Sequence, residues 1–131
     1  MNAIDNKQAV LRCVELFNKC TMEWLDTCYA DHLEWTELPW RSFPQGRHGD
    51  LSTYRQSVEQ ALRLYPDRQL RVLRSVAEGN CVVLEQEWQG TAAFTVGGLV
   101  AGTVSKLRIV SFFTLENGLI TKQTDYCTGA A

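Results

Sequence analysis

Residues 103–128, TVSKLRIVSFFTLENGLITKQTDYCT, decide the fold, because they combine the strongest strand pattern in the chain with its strongest turn signal. Residues 104–115 are rich in β-branched and aromatic side chains and contain no Pro or Gly, which predicts one long strand. At roughly 3.3 Å per residue this strand is about 40 Å long, so we expect it to twist and curl. Asn117-Gly118 then predicts a hairpin turn, and residues 119–127 predict the returning strand.

The number of residues in this turn decides which way Asp125 points. A two-residue turn places Asp125 opposite Val110, whereas a three-residue turn, with Gly118 as an αL bulge, places it opposite Ile109. A shift of one residue moves every side chain to the opposite face of the sheet. We favour the three-residue turn, although the residues are compatible with both. The favoured register gives one face an apolar wall with one carboxylate and a few small polar groups: Leu107, Ile109, Ser111, Phe113, Thr121, Gln123, Asp125 and Cys127.

Length and composition indicate one globular domain. A chain of 131 residues usually forms a single domain and can bury about two-thirds of its unfolded surface. Apolar residues make up 45% of the chain and charged residues 21%, which is typical of soluble proteins. The net charge of −2 provides no basic surface for nucleic acid. No apolar run approaches the ~18 residues of a transmembrane helix, so we expect a cytoplasmic protein without membrane or nucleic-acid partners.

The cysteines and histidines show no metal-binding or redox motif. The chain has five cysteines, an odd number without a C-x-x-C motif: Cys13, Cys20, Cys28, Cys81 and Cys127. In a chain of this size with a normal core, they are expected to be reduced and mostly buried. His32 and His48 are the only histidines, and neither lies at ligand spacing from a cysteine. We therefore predict neither a metal site nor an organic cofactor.

Helical and strand patterns follow one another in an order that defines the fold class. Apolar residues at helical spacing predict three helices: residues 5–19, 21–30 and 50–65. Alternating patterns predict three strands before the hairpin, with a looser glycine-containing strand leading into it: residues 33–38, 69–77 and 81–91. Helices followed by a mostly antiparallel meander indicate the α+β class, with one curved sheet wrapped over three N-terminal helices. The concave space between sheet and helices is a common place for ligands.

Three segments of the chain carry a family resemblance: residues 46–49 (GRHG), 87–91 (EWQGT) and 112–126, which end in Asp125-Tyr126. With the order of elements, they resemble the nuclear transport factor 2-like superfamily, and in particular its SnoaL-like polyketide-cyclase and limonene-epoxide-hydrolase branches. The resemblance implies one cone-shaped half-barrel domain over residues 1–131. It also implies a homodimer formed through the outer face of the sheet. It does not imply one function, because the fold hosts isomerases, cyclases, dehydratases, hydrolases and non-catalytic binders.

The resemblance also implies roles for particular residues. Asp125 matches the carboxylate that acts in the epoxide-hydrolase relatives, and Glu87 falls where the second acid of that site lies. Trp35 and Glu37 fall where two residues help to hold the attacking water. The arginine that bridges the two acids is replaced by Glu85, which argues against epoxide hydrolysis by that arrangement. In the cyclase branch an acid near the end of the last strand is the acid/base, and Asp125 is similar to it.

Elementary chemistry points to Asp125 as the leading catalytic candidate. A carboxylate on an apolar wall loses hydration, so its pKa rises and it can exchange a proton near neutral pH. The competing interpretation is that Asp125 pairs with an arginine or faces water. Glu85 and Glu87 share one face of their strand, where either can pair with an arginine of a neighbouring strand instead of acting in the site. We expect ten residues to bind substrate: Trp35, Glu37, Trp40, Tyr54, Leu107, Ile109, Ser111, Phe113, Gln123 and Cys127.

These observations lead to three functional hypotheses. The first is a small-molecule enzyme, an isomerase, cyclase or lyase that uses Asp125 as general acid/base, assisted by Glu87 or Tyr54, on a small apolar or aromatic substrate. The second is a non-catalytic protein that binds such a ligand in the same pocket. The third is a dimeric or interaction protein whose outer sheet face meets a partner: Val110, Phe112, Ile120 and Tyr126.

Overall fold

The computed structural model describes residues 1–129, which form three helices and one six-stranded sheet. The elements follow in the order α1 (Ala3–Phe17), α2 (Trp24–Cys28), β1 (Tyr29–Glu37), β2 (Arg47–Gly49), α3 (Leu51–Leu64), β3 (Gln69–Glu78), β4 (Cys81–Thr91), β5 (Val104–Glu116) and β6 (Leu119–Gly129). The strand order is β2-β1-β6-β5-β4-β3. Only the β1–β6 pair is parallel among these strands, so the predicted α+β class with a curved, mostly antiparallel sheet is confirmed.

Side-chain caps set the starts of the two longer helices. The Asn2 side chain accepts a hydrogen bond from the Asp5 backbone N–H at 2.9 Å, so α1 begins before the predicted cap at Asp5. The Asp50 side chain accepts a hydrogen bond from the Thr53 N–H at 3.0 Å and caps α3 as predicted. Within residues 1–129, no helix is both long and apolar enough to cross a membrane.

Three segments differ from the predicted elements. The second helix is short, because the chain from Tyr29 onward is already paired with β6 and extends β1 towards the N-terminus. The loop predicted before the third helix contains the short strand β2, which pairs with β1. The loose strand predicted before the hairpin is a loop with one isolated bridge between Val96 and Leu99. Gly97 and Gly102 adopt φ values of 56° and 89° in this loop, which interrupts an extended strand.

The hairpin turn has two residues, so the favoured three-residue turn is wrong. Glu116 pairs with Leu119, which leaves only Asn117 and Gly118 between the strands. The two turn residues have φ values of 52° and 79°. Asn and Gly tolerate this left-handed region better than other residues, and two successive positive φ values match the twist of a tight hairpin.

A β-bulge at Thr121 gives Asp125 the orientation that was predicted from a bulge at Gly118. The pairing between β5 and β6 shifts by one residue near the turn, and Ile120 and Thr121 are both buried as a result. Beyond the bulge, Asp125 lies opposite Ser111 instead of the expected Ile109. Because side chains alternate between the two faces of a strand, an offset of two residues keeps Asp125 on the inner face of the sheet.

The hydrophobic core lies between the inner face of the sheet and the helices. Its most buried side chains include Val10, Leu25, Leu33, Leu84 and Ile120, each 2% exposed or less. Burying one such side chain stabilises the fold by roughly 1.5–3 kcal/mol. Ile120 was predicted on the outer face of the sheet, and the bulge beside it is the reason that it belongs to the core.

The outer face of the sheet carries ion pairs and two exposed aromatic side chains. Glu85 lies between Arg74 and Arg108, at 3.4 and 3.1 Å, which confirms that arginines of neighbouring strands neutralise the outer acids. Phe112 and Tyr126 are each 44% exposed, and their ring centroids lie 5.7 Å apart. The homodimer expected through this face stays a prediction.

Cys13 of α1 and Cys28 of α2 form a disulfide, so the prediction that all five cysteines are reduced is wrong. Their Cα atoms lie 6.0 Å apart, a separation that suits the bond. The pair arises from the way in which α1 packs against α2. No spacing motif in the sequence marks such a contact.

A thiol titration tests this disulfide. The protein denatured without reductant is expected to show the three free thiols of Cys20, Cys81 and Cys127. Reduction raises the number to the five cysteines of the chain. The Cys13→Ser variant is the matched control, because it releases the thiol of Cys28 and adds one to the count before reduction. Five thiols in the unreduced wild type would contradict the disulfide.

Candidate functional site

A cavity of about 990 Å³ lies between the inner face of the sheet and the helices. Its volume is at the upper end of the range of about 300–1,000 Å³ that is usual for small-molecule sites. Much of its wall is apolar and comes from α1, α3 and β5: Val10, Val14, Phe17, Val58, Leu107, Ile109 and Phe113. A few polar side chains interrupt this wall, which is the usual composition of a site for an apolar ligand with some polar groups.

Asp125 of β6 is one of these polar side chains, is 9% exposed and accepts hydrogen bonds from three neighbouring residues. Ser111 Oγ donates to Oδ1 at 2.7 Å, and Trp35 Nε1 donates to Oδ2 at 3.0 Å. Gln123 Nε2 lies 3.1 and 3.0 Å from the two carboxylate oxygens. Gln86 Nε2 donates to Ser111 Oγ at 3.1 Å and supports that hydroxyl. Neutral donors therefore hold the carboxylate, and no arginine within residues 1–129 hydrogen-bonds to it.

Burial sets the protonation behaviour of Asp125. Desolvation raises the pKa of its carboxyl group above the ordinary value. The hydrogen bonds from Ser111, Trp35 and Gln123 oppose this change, and the charge of Glu37 adds to it. The net effect is upward, so Asp125 binds a proton more tightly than an exposed aspartate does. A carboxyl group of this kind is suited to taking a proton from a carbon and returning it.

Two buried tyrosines extend the hydrogen-bond network. The Tyr29 hydroxyl donates a hydrogen bond to Gln123 Oε1 at 2.5 Å, and Gln123 Nε2 donates one to the Tyr54 hydroxyl at 3.2 Å. Burial raises the pKa of both Tyr29 and Tyr54 above the ordinary value, so both hydroxyls remain protonated at neutral pH. Tyr54 lines the cavity, where its O–H can donate to an oxygen of a bound molecule.

Glu37 of β1 is a second acid on the cavity wall and is 4% exposed. Arg47 Nε donates to its Oε2 at 2.9 Å, and Trp40 Nε1 donates to its Oε1. The guanidinium carbon of Arg47 also lies 3.5 Å from the centroid of the Phe43 ring. Arg47 therefore neutralises Glu37. Burial raises the pKa of the nearby Cys127 thiol, which keeps Cys127 protonated and unsuited to act as a nucleophile.

The structure brings most of the predicted site residues together and separates two of them from the cavity. Trp35 lies behind Asp125, to which it donates a hydrogen bond, and is not part of the cavity wall. Glu87 lies on the outer face of the sheet and pairs with Arg71 at 3.4 Å, so the two predicted acids do not share one site. The remaining ten line the cavity: Glu37, Trp40, Tyr54, Leu107, Ile109, Ser111, Phe113, Gln123, Asp125 and Cys127.

Sequence reasoning missed several polar residues of the cavity wall, among them Tyr29, Arg47, Gln86 and Arg68. The alternation in residues 81–91 already places Gln86 on the same face as Trp88, so the signal for it was present. Tyr29 was assigned to a helix, although it begins β1. Arg47 comes from a three-residue strand and Arg68 from the loop before β3, and neither segment has a periodic pattern that indicates its direction.

Comparison with known families gives one match that covers most of the chain. The family model of the SnoaL-like domain matches residues 10–123. That range includes the inner faces of β1, β4 and β5 and ends two residues before Asp125. No curated protein sequence matches the chain significantly.

Solved structures show the same fold at low sequence identity. AclR from Streptomyces galilaeus, a proposed hydroxylase, is 16% identical, with a TM-score of 0.82 over 96% of this chain and 76% of that chain. IdmH from Streptomyces antibioticus, a proposed polyketide cyclase, is 17% identical, with a TM-score of 0.80 over 93% and 91%. An LEH-like epoxide hydrolase from M. tuberculosis is 14% identical, with a TM-score of 0.73 over 96% and 84%. These likenesses concern the fold alone.

Proposed function

This chain belongs to the SnoaL-like domain family, and from that premise we propose that it is a cofactor-independent isomerase or cyclase whose general acid/base is Asp125. One observation carries the proposal. Asp125 is a buried carboxylate with a raised pKa, held by the donors Ser111, Trp35 and Gln123 on the wall of a largely apolar cavity. The substrate is a small, mainly apolar molecule that contains a carbonyl group.

In the proposed reaction, Asp125 removes a proton from the carbon next to the carbonyl group. The electrons of the broken C–H bond form an enolate, and the proton remains on Asp125. In an isomerisation, the substrate has a C=C bond conjugated with this enolate, and Asp125 returns the proton to the far carbon of that bond, so that the double bond moves next to the carbonyl group. In a cyclisation, the enolate carbon bonds to a second carbonyl carbon of the same molecule, and Asp125 protonates the resulting alkoxide. Tyr54 donates a hydrogen bond to the oxygen on which negative charge develops.

A proton-exchange experiment tests the proposed function without requiring the natural substrate. The probe is 2-tetralone, a bicyclic ketone with acidic protons between its carbonyl group and its aromatic ring. In D₂O, the wild-type protein is expected to accelerate replacement of these protons by deuterium, with saturation at high probe concentration, as followed by ¹H NMR. Calorimetric binding of 2-tetralone without any acceleration would contradict the enzymatic proposal.

Non-catalytic binding is the second candidate function, and one observation favours it. Both carboxylate oxygens of Asp125 already accept hydrogen bonds from Ser111, Trp35 and Gln123. These bonds lower the pKa of Asp125 against the effect of burial. A carboxylate held in this way can also serve only to shape the wall of a binding cavity. Binding of apolar probes without proton exchange is the result that supports this function.

The acid limb of the pH–rate profile, where proton exchange slows as the pH falls, is expected to move along the pH axis when Trp35 is replaced. The reaction begins with ionised Asp125, so its rate falls as the pH falls through the raised pKa of that group. Trp35→Phe removes the N–H that stabilises the ionised carboxylate and therefore raises this pKa further. We expect the limb to move upward by about 0.5–1 pH unit, the equivalent of one ordinary hydrogen bond.

The matched control for this pH profile is Trp40→Phe. The Trp40 indole donates to Glu37 and not to Asp125, so its loss should leave the position of the limb nearly unchanged. An unchanged or lowered limb in Trp35→Phe would show that the titrating group is not Asp125.

A further inference from the structure

A buried arginine on the cavity wall has no counter-ion within the part of the chain that the structure describes. Arg68 is 1% exposed and belongs to the loop between α3 and β3. Its Nη1 and Nη2 atoms have no hydrogen-bond partner among residues 1–129. Its guanidinium carbon lies 4.1 Å from the centroid of the Phe17 ring. A buried charge with only an aromatic neighbour is costly, because it has lost its hydration without gaining an acceptor.

A second buried donor lies beside the same phenylalanine. Trp24 is 3% exposed, and its Nε1 also has no hydrogen-bond partner in the described chain. The Trp24 ring packs edge to face against Phe17, with centroids 5.2 Å apart, and against Tyr54 at 6.2 Å. Arg68 and Trp24 both line the cavity that holds Asp125. This part of the wall therefore carries donor groups that lack an acceptor.

The acids of the cavity wall are already engaged elsewhere. Glu37 is paired with Arg47, and Asp125 accepts hydrogen bonds from neutral side chains. Burial lowers the pKa of Arg68, but a guanidinium group begins so high that it remains a cation. The charge of Asp125 raises the pKa of Tyr54 and the charge of Arg68 lowers it, so both groups act on the same hydroxyl. No acid on the described cavity wall is therefore left to accept a hydrogen bond from Arg68, and a bound molecule with an acceptor group would fit this place.

We propose that Arg68 and Trp24 form a subsite for a carboxylate group of the ligand, so that the substrate is an apolar, ring-containing carboxylate. The guanidinium fork offers parallel N–H groups that match the two oxygens of a carboxylate, and the indole N–H adds a further donor. The apolar wall around them accommodates the rings: Val10, Val14, Phe17 and Val58. This inference rests on the proposed function and concerns the same cavity. The carboxylate group fixes one part of the substrate, while a carbon in another part reacts at Asp125.

Calorimetry with a matched pair of probes tests the subsite. The probes are 2-naphthylacetate and its methyl ester, which differ in charge and share the same ring. The wild-type protein is expected to bind the carboxylate at least about tenfold more tightly than the ester, as a charged hydrogen-bonded pair would provide. Equal affinities, or tighter binding of the ester, would overturn the proposal without any variant.

Arg68→Met is expected to abolish this preference. Its Kd for 2-naphthylacetate should increase by about 10–100-fold, while its Kd for the ester changes by less than about threefold. The matched control is Arg63→Met, an exposed arginine near the end of α3, which should behave as the wild type. A preference for the carboxylate that survives in Arg68→Met would overturn the proposal. Arg68→Lys retains the positive charge but lacks the parallel N–H groups of the guanidinium, so it should retain part of the preference for the carboxylate.

The unfolding temperature of Arg68→Met distinguishes an arginine that binds a ligand from one that only stabilises the fold. Methionine fills a similar volume and removes an unpaired buried charge, so the ligand-free Arg68→Met protein should unfold at a temperature at least as high as the wild type. A clear fall in its unfolding temperature would mean that Arg68 has an internal partner, and would count against the subsite. Binding is measured without turnover, so the two proposals can fail separately. Tight carboxylate binding through Arg68 with no exchange of 2-tetralone protons would reject the proposed function and leave the carboxylate subsite standing.

Discussion

Asp125→Asn is expected to slow the exchange of 2-tetralone protons by about 10²–10⁴-fold, the usual contribution of one positioned acid or base. Asparagine has nearly the shape of aspartate, but its amide does not accept a proton at neutral pH. Its oxygen can still accept a hydrogen bond from Ser111 or Trp35, so the cavity wall should keep its form. The loss should therefore appear in kcat, with KM nearly unchanged, when rates are measured by ¹H NMR over a range of probe concentrations.

Glu87→Gln is the matched control for this loss. The family resemblance places Glu87 at the second acid of the site, whereas the structure places it on the outer face of the sheet beside Arg71. We expect its exchange rate to stay within about twofold of the wild type, since surface substitutions of this kind have small effects. A large loss in Glu87→Gln, or a full rate in Asp125→Asn, would contradict the assignment of the site.

Leu84→Ala is expected to lower the free energy of unfolding by about 2–5 kcal/mol. Leu84 lies on the inner face of β4, is 0% exposed, and pairs with Ser111 of β5. Alanine removes buried methyl groups and leaves a space at the centre of the sheet that the paired strands cannot close. Urea unfolding followed by circular dichroism measures the change as a lower midpoint with a similar slope.

Val76→Ala on β3 is the control for this packing effect. Val76 is 58% exposed, so its truncation should change the free energy of unfolding by no more than about 0.5 kcal/mol. If Leu84→Ala lost no more stability than Val76→Ala, the inner and outer faces of the sheet would be assigned the wrong way round.

Alternation in the sequence predicted which side chains of a strand share a face, but it did not decide whether Glu85 and Glu87 point towards the cavity. In residues 81–91, apolar Leu84 and Trp88 alternate with Glu85 and Glu87, and the structure places the first pair inside and the acids outside. This pattern reflects burial directly, because successive side chains of a strand point to opposite faces. Asp125 was predicted inside from a three-residue turn, whereas the structure has a two-residue turn and reaches the same orientation through the bulge at Thr121.

The bulge, the disulfide and the unpaired arginine could not be predicted in this way. The turn at Asn117-Gly118 has the sequence of a two-residue hairpin, but Thr121 carries no signal that it interrupts the ladder. Cys13 and Cys28 meet only through the packing of α1 on α2. Arg68 lies in a loop, and the direction of its side chain depends on Phe17, which is distant in the sequence. Each of these features is set by tertiary contacts and not by local preference.

The most direct test of a buried acid/base in the cavity is the pKa of Asp125 itself, measured by ¹³C NMR of the side-chain carboxyl groups. The Asp125 signal is identified by its disappearance in Asp125→Asn. We predict a pKa clearly above the ordinary aspartate value of about 3.9, and an acid limb of the exchange rate at the same pH. A pKa at or below the ordinary value, or a limb at a different pH, would contradict the role of Asp125 as the proton-transferring group.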